Sequence, residues 1–117
     1  MINNFEEICS ISGVNIKSFE PISSLNEDIS DNAFKKLKLI VKVLNGDWVC
    51  DWKNEKQIKH YPYFKYDPFI DKFIMYKIGS YCNGPVAGSR LVFKNRELAE
   101  FVAIHYSDIY NDWFLKY

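Results

Sequence analysis

Val86-Ala87-Gly88-Ser89-Arg90-Leu91-Val92-Phe93-Lys94-Asn95-Arg96-Glu97-Leu98-Ala99 joins a turn, a strand and the start of a capped helix in fourteen residues. Gly88 and Ser89 punctuate the chain, Leu91-Val92-Phe93 is β-prone, and Asn95 is a good helix cap with Glu97 behind it in the first turn. A strand that runs straight into a helix predicts that sheet and helix share one core. Three cations, Arg90, Lys94 and Arg96, sit at the junction.

Working forward, Leu98, Phe101, Val102, His105, Ile109 and Trp113 recur at helical spacing. They predict one long C-terminal helix from about Asn95, with His105 packed on its apolar stripe. Working back, residues 60–66, 72–78 and 89–93 read as three strands, separated by Asp67-Pro68 and by Asn83-Gly84-Pro85. Pro62 lacks a ladder donor, which marks the first strand as an edge or a bulged strand. Before the strands lies a Trp-rich loop, Asp47-Trp48-Val49-Cys50-Asp51-Trp52-Lys53-Asn54, in which Asp47, Asp51 and Asn54 are at hand for buried indole N–H groups.

The clearest helix is predicted over residues 32–45. Ser30 or Asp31 caps it, Ala33, Phe34, Leu37, Ile40, Val41 and Leu44 form its stripe, and Gly46 stops it. A shorter helix fits residues 4–11, capped at Asn3 or Asn4 and ended by Gly13. Residues 14–27 read as a connector with a short helical turn, since Pro21 and Ser23-Ser24 interrupt anything longer. The predicted fold is therefore α+β: two N-terminal helices, a three-stranded antiparallel meander and a long C-terminal helix packed on one sheet face.

A chain of 117 residues, 48% hydrophobic and 17% aromatic, suits a single domain over residues 1–117. No apolar run approaches the roughly 18 residues of a membrane span, and the N-terminus lacks the charge and apolar pattern of a secretory signal. Three widely spaced cysteines, Cys9, Cys50 and Cys82, suit reduced thiols. These features together predict a cytoplasmic protein with no membrane partner.

Net charge is zero but unevenly spread. Residues 1–31 carry one cation and six anions, residues 32–94 twelve cations and five anions, and residues 95–117 two cations and four anions. The basic middle favours an acidic partner, and residues 1–30 read as an acidic N-terminal arm that is either docked on it or extended from it. The plainer alternative is a domain whose charges neutralise one another.

Catalytic patterns are missing. Gly84-Pro85-Val86-Ala87-Gly88-Ser89-Arg90 has three residues between its glycines where a phosphate loop has four, Arg in place of Lys, and a strand where a helix must follow. His60 and His105 stand far in sequence from each cysteine, and no pair of cysteines or histidines has metal-ligand spacing. The chain is predicted to be no enzyme and to need no cofactor or metal.

The candidate sites are surfaces. Lys59, Tyr61, Tyr63 and Lys65 share one strand parity, as do Arg90, Val92 and Lys94. If the two faces coincide, they form a basic aromatic platform suited to single-stranded nucleic acid; the alternative packs Tyr61 and Tyr63 under a helix. Arg90, Lys94 and Arg96 flank a helix start that favours an anion, though Arg96 also has Glu100 four residues on as a pairing option. Lys35, Lys38 and Lys42 form a secondary basic ridge on the second helix.

The series Trp52-Lys53-Asn54, Tyr61-Pro62-Tyr63-Phe64, Gly88-Ser89-Arg90-Leu91-Val92-Phe93-Lys94, Glu97-Leu98-Ala99-Glu100 and Ile109-Tyr110-Asn111-Asp112 resembles a family of small uncharacterised Bacteroidota phage and prophage proteins, over about residues 40–114. That resemblance implies a mobile-element protein in a bacterial cytoplasm, with no catalytic residues to carry over. Its context suggests a non-enzymatic binder of a host protein, most concretely an anti-CRISPR-like inhibitor of an RNA-guided Cas nuclease or its RNA complex. The alternative is a small single-stranded nucleic-acid-binding protein; a weaker one is a self-associating virion component.

Overall fold

The computed structural model describes residues 2, 4–81 and 91–115. Among these residues, four helices and one antiparallel strand pair make a mixed α+β fold: α1 (Phe5–Ser12), a 3₁₀ turn (Ile16–Phe19), α2 (Asn26–Asn45), β1 (Lys59–Asp67), β2 (Lys72–Tyr81), α3 (Arg96–His105) and α4 (Ser107–Leu115).

The helix ends follow local chemistry. The Asn4 side chain accepts from the Glu7 N–H at 2.8 Å to start α1, and Gly13 ends it in the left-handed region at φ 74°. Ile8 and Cys9 are buried against the rest of the fold, and Phe5 meets Phe19 edge-on at 5.0 Å. The acidic N-terminal segment is thus docked through α1.

Helix α2 begins six residues before the expected start. Ser30 and Asp31 lie inside it, and the Ser30 hydroxyl donates to the Trp113 carbonyl at 2.9 Å. A residue that signals a cap in sequence here ties α2 to α4. Asn32, Ala33, Leu37, Ile40, Val41 and Asn45 form its buried side, and Phe34 stacks on Trp113 at 5.0 Å.

The expected long C-terminal helix is two. Tyr106, at φ −116° and ψ 26°, separates α3 from α4. Its side chain is buried and its hydroxyl donates to the Ile2 carbonyl at 2.9 Å; burial pushes the phenol up to about 12. One turn on, Tyr110 is fully enclosed against Phe64 (ring centroids 4.6 Å), and burial raises its phenol further. The break allows both tyrosines to reach the core. It also leaves His105 exposed, stacked on Phe101 at 4.2 Å with Nδ1 3.0 Å from the Phe101 carbonyl, so His105 is no packed core residue.

The strand pair runs from Lys59 opposite Tyr81 to Asp67 opposite Lys72, with a bulge where Tyr63 pairs Lys77 and Phe64 pairs Met75. His60 and Phe73 both bond away from the partner strand, to Phe93 and to Asn111. Antiparallel alternation then puts Pro62 at an outward position too, where the missing N–H costs no ladder bond.

Among the described residues, the expected third strand is represented by one bridge. Residues 82–90, including Ser89 and Arg90, lie outside the described residues. Phe93 exchanges both backbone bonds with His60, at 3.0 and 2.7 Å. On its other side the Asn45 carboxamide donates to the Val92 carbonyl at 3.0 Å and accepts from the Lys94 N–H at 3.1 Å. Asn111 does the same for β2, accepting from Phe73 N–H at 2.6 Å and donating to its carbonyl at 3.0 Å. Two helical side chains therefore satisfy backbone groups that further strands would have taken.

The core is formed by Ile8, Leu37, Ile40, Leu91, Phe93 and Val102 with their neighbours, and one sheet face closes it. Among the described residues no helix is long and apolar enough to cross a membrane.

Candidate functional site: the outer face of the hairpin

Strand parity divides the hairpin into two faces. Phe64, Phe73 and Ile78 turn inward, where Phe64 and Phe73 meet Phe114 at ring-centroid distances of 5.3 and 5.0 Å. Tyr61, Tyr63 and Lys65 turn outward on β1, together with Ile74, Tyr76, Lys77 and Tyr81 of β2. Among the described residues no helix covers Tyr63 and Tyr76: they are 48% and 55% exposed, with ring centroids 6.1 Å apart.

The bulge explains why this face is so densely furnished. Two successive β2 residues oppose Tyr63, so Tyr76 and Lys77 both point outward, where a regular ladder would send one of them inside. The Lys65 Nζ lies 4.1 Å from the Tyr76 ring centre, and the Lys77 Nζ lies 5.6 Å from Tyr63 and 6.0 Å from Tyr76. Cations over exposed rings are held by the ring quadrupoles and keep their charge in solvent.

The aromatic row continues along the hairpin. Tyr61 meets Tyr81 at 4.7 Å, and Tyr81 stacks on Trp52 at 5.4 Å with planes 23° apart. Gly79 makes room for the Tyr61 ring: a Cβ there would lie 2.4 Å from Tyr61 Cζ. Five rings, Trp52, Tyr81, Tyr61, Tyr63 and Tyr76, thus follow one face from the Trp loop toward the hairpin tip.

Lys59 departs from the expected platform. It has outward parity, yet it is fully buried, with Nζ donating to the carbonyls of Asp51 at 2.7 Å and Asn54 at 3.2 Å and lying 5.1 Å from the Trp52 ring centre. The Trp loop folds over it. Lys59 therefore organises that loop and contributes no exposed charge. The Asp51 and Asn54 side chains, expected near the indoles, take the backbone N–H groups of Lys53 and Lys56.

The other predicted residues separate. Arg90 lies outside the described residues, Val92 is 2% exposed, and Lys94 and Arg96 are exposed beside Asn95, whose side chain already accepts the Leu98 N–H at 2.8 Å. Hence Val92 does not extend the tyrosine face; it lines a different concavity, and the Lys94 N–H bonds Asn45, which lines it too. That groove, about 450 Å³, lies between the end of α2 and the Trp loop and is lined by Val41, Lys42, Asn45, Trp48, Trp52 and Val92 among others. The ridge on α2 is partly engaged: Lys38 Nζ sits 5.0 Å over Phe34, while Lys35 and Lys42 are exposed.

Thiol and metal chemistry find little to build on among the described residues. Burial pushes the Cys9 and Cys50 thiols up, away from the nucleophilic thiolate, and no group of three or more His, Cys, Asp and Glu side chains is placed to hold a metal ion. Sequence reasoning reached Tyr61, Tyr63 and Lys65 through parity but missed Tyr76, Lys77 and Tyr81. The bulge hides the first two from a period-two reading, and Trp52 joins through stacking that no spacing encodes. Comparison with known proteins returns no match to any family model, curated protein or solved structure.

Proposed function

We propose that this chain is a non-enzymatic binding protein whose outer hairpin face takes single-stranded nucleic acid. The observation that carries the reading is the exposed pair Tyr63 and Tyr76 with Lys65 and Lys77 over their rings. Among the described residues neither lysine has a carboxylate within ion-pairing distance, so both charges remain available for phosphates. Exposed rings beside unneutralised cations match what an unpaired strand offers: base faces to stack and phosphates to neutralise.

Anisotropy of a labelled single-stranded oligonucleotide across a salt series tests the reading. Affinity should fall steeply as salt rises, and the Tyr63→Ala/Tyr76→Ala double variant should lose about tenfold or more. Absence of any salt-dependent binding by the native chain would end it.

A second reading is favoured by the hairpin tip. Asp67 accepts the Phe69 N–H at 2.9 Å and Asp71 accepts the Tyr66 hydroxyl, which ties both carboxylates into the turn. Phe69 projects 96% exposed, with Ile70 beside it at 53%. A nucleic acid backbone has no use for such an apolar anchor, whereas a pocket on a host protein does. This suits an inhibitor of the anti-CRISPR kind, acting in a bacterial host on an RNA-guided nuclease. A tagged pull-down from a Bacteroidota lysate distinguishes the two: a stoichiometric protein retained after nuclease treatment, and lost with Phe69→Ser, supports the inhibitor.

A further inference from the structure

We infer that the binding track does not end on the hairpin but passes over Trp52 into the groove between the end of α2 and the Trp loop, which receives one unpaired base, with Lys42 and Lys94 meeting the adjoining phosphates. This rests on the reading of the hairpin face as a single-strand platform.

Three observations carry it. The first is continuity, since Trp52 belongs to both places: it stacks on Tyr81 at the end of the aromatic row and lines the groove. The second is the character of the groove, concave and about 450 Å³, with Val41 and Val92 as apolar walls and Trp48 as a second indole. A flat aromatic solute fits such a space, and a base paired in a duplex cannot enter it.

Charge supplies the third. Lys42 lines the groove with its side chain exposed. Lys94 is anchored at the same edge, because its N–H is bonded to Asn45 Oδ1 at 3.1 Å and Asn45 is itself a lining residue. Its side chain is exposed as well. Among the described residues neither cation meets a carboxylate at ion-pairing distance. These two lysines come from the ridge on α2 and from the junction before α3, about fifty residues apart in sequence. The fold links the groove that Lys42 lines to the Lys94 backbone through Asn45, and Trp52 joins that groove to the aromatic row.

Asn45 makes the arrangement rigid. Its carboxamide fixes both the Val92 carbonyl and the Lys94 N–H, so the groove wall and the Lys94 backbone are tied together. Lys59, buried beneath the Trp loop and donating to the Asp51 and Asn54 carbonyls, holds Trp52 at the crossing point.

The test is a length series of unlabelled single-stranded oligonucleotides, from two to ten nucleotides, competed against a labelled decamer. It compares the native chain with Lys42→Ala/Lys94→Ala, which alters only exposed side chains, and with Tyr76→Ala. The native chain should gain affinity in two stages, first as the hairpin face fills and again as the strand reaches the groove. The double lysine variant should keep the first stage and lose about tenfold in the second, with a salt slope lower by about two. Tyr76→Ala should weaken oligonucleotides of every length. Tryptophan emission should be quenched only by the longer strands. Equal binding of all lengths by the native chain and the lysine variant would overturn the groove while leaving the platform intact. No binding of any oligonucleotide by the native chain would remove the platform and the groove with it. Equal affinity for a blunt duplex would overturn the assignment of an unpaired base.

Discussion

The two faces of the β1–β2 hairpin use similar residues for opposite purposes. The inner face holds Phe64 and Phe73 against α4 and Ile78 against the core, and the outer face holds Tyr61, Tyr63 and Tyr76 among lysines. Both are aromatic and both alternate along the same two strands. What separates them is the phenol hydroxyl and the company of charge, which let the outer rings remain in water. The lesson is that aromatic content alone does not locate a core, while parity combined with neighbouring cations does.

Alkali should give the largest separation between the faces. Tyr106 and Tyr110 belong to the inner side, and burial raises both phenols, Tyr106 to about 12 from an ordinary 10.0. A folded value above the unfolded one means that the stabilisation is complete below pH 10 and is lost as pH climbs through the folded value. The denaturation midpoint should therefore hold level up to pH 10 and fall between pH 10 and 12, with tyrosinate absorbance of the buried pair appearing only as the fold is lost.

Substitution separates the faces more locally. Phe64→Ala should cost about 3 kcal/mol in chemical denaturation, whereas Tyr63→Ala, one residue away on the outer side, should cost less than about 1 kcal/mol. Equal costs would show that the outer row is part of the core. Asn111→Leu should lose about 2 kcal/mol, because the Phe73 N–H and carbonyl would be left without their carboxamide partner. Amide exchange at Phe73 should accelerate well before that of its strand neighbours.

Gly79→Ala sharpens the comparison at smallest cost. The new methyl would displace the Tyr61 ring, whose end is free to move outward, so about 1 kcal/mol is expected. The Tyr61 to Tyr81 contact should open, visible as a changed ring-current shift, while Phe64 and Phe73 on the other side stay in place.

Much of this architecture could be read from the chain. Asn4 and Asn95 as caps, Gly13 and Gly46 as stops and the hairpin around Asp67-Pro68 are local signals, and local physics satisfied them. The failures share a cause: a distant partner decided the outcome. Ser30 reads as a cap but serves Trp113, and Lys59 reads as a surface cation but is captured by the carbonyls of Asp51 and Asn54. Leu91-Val92-Phe93 reads as a strand, but among the described residues it pairs through Phe93 with His60 while Asn45 closes its other side. At the site, parity located half the tyrosine row; the rest depended on a bulge and on the loop that brings Trp52 to Tyr81.

Asn45 and Asn111 have one further consequence. A strand edge is a template: its open amide and carbonyl invite another chain to add itself, and each addition recreates the invitation. A carboxamide presented from a helix accepts that invitation without passing it on, because the group behind it is a side chain and offers no next rung. At Phe73 and beside Phe93 the protein has written terminators for sheet growth into two helical residues. Removing one should therefore do more than loosen the fold; it should give a protein that keeps a crowded, tyrosine-rich surface and has regained a seed for polymerisation.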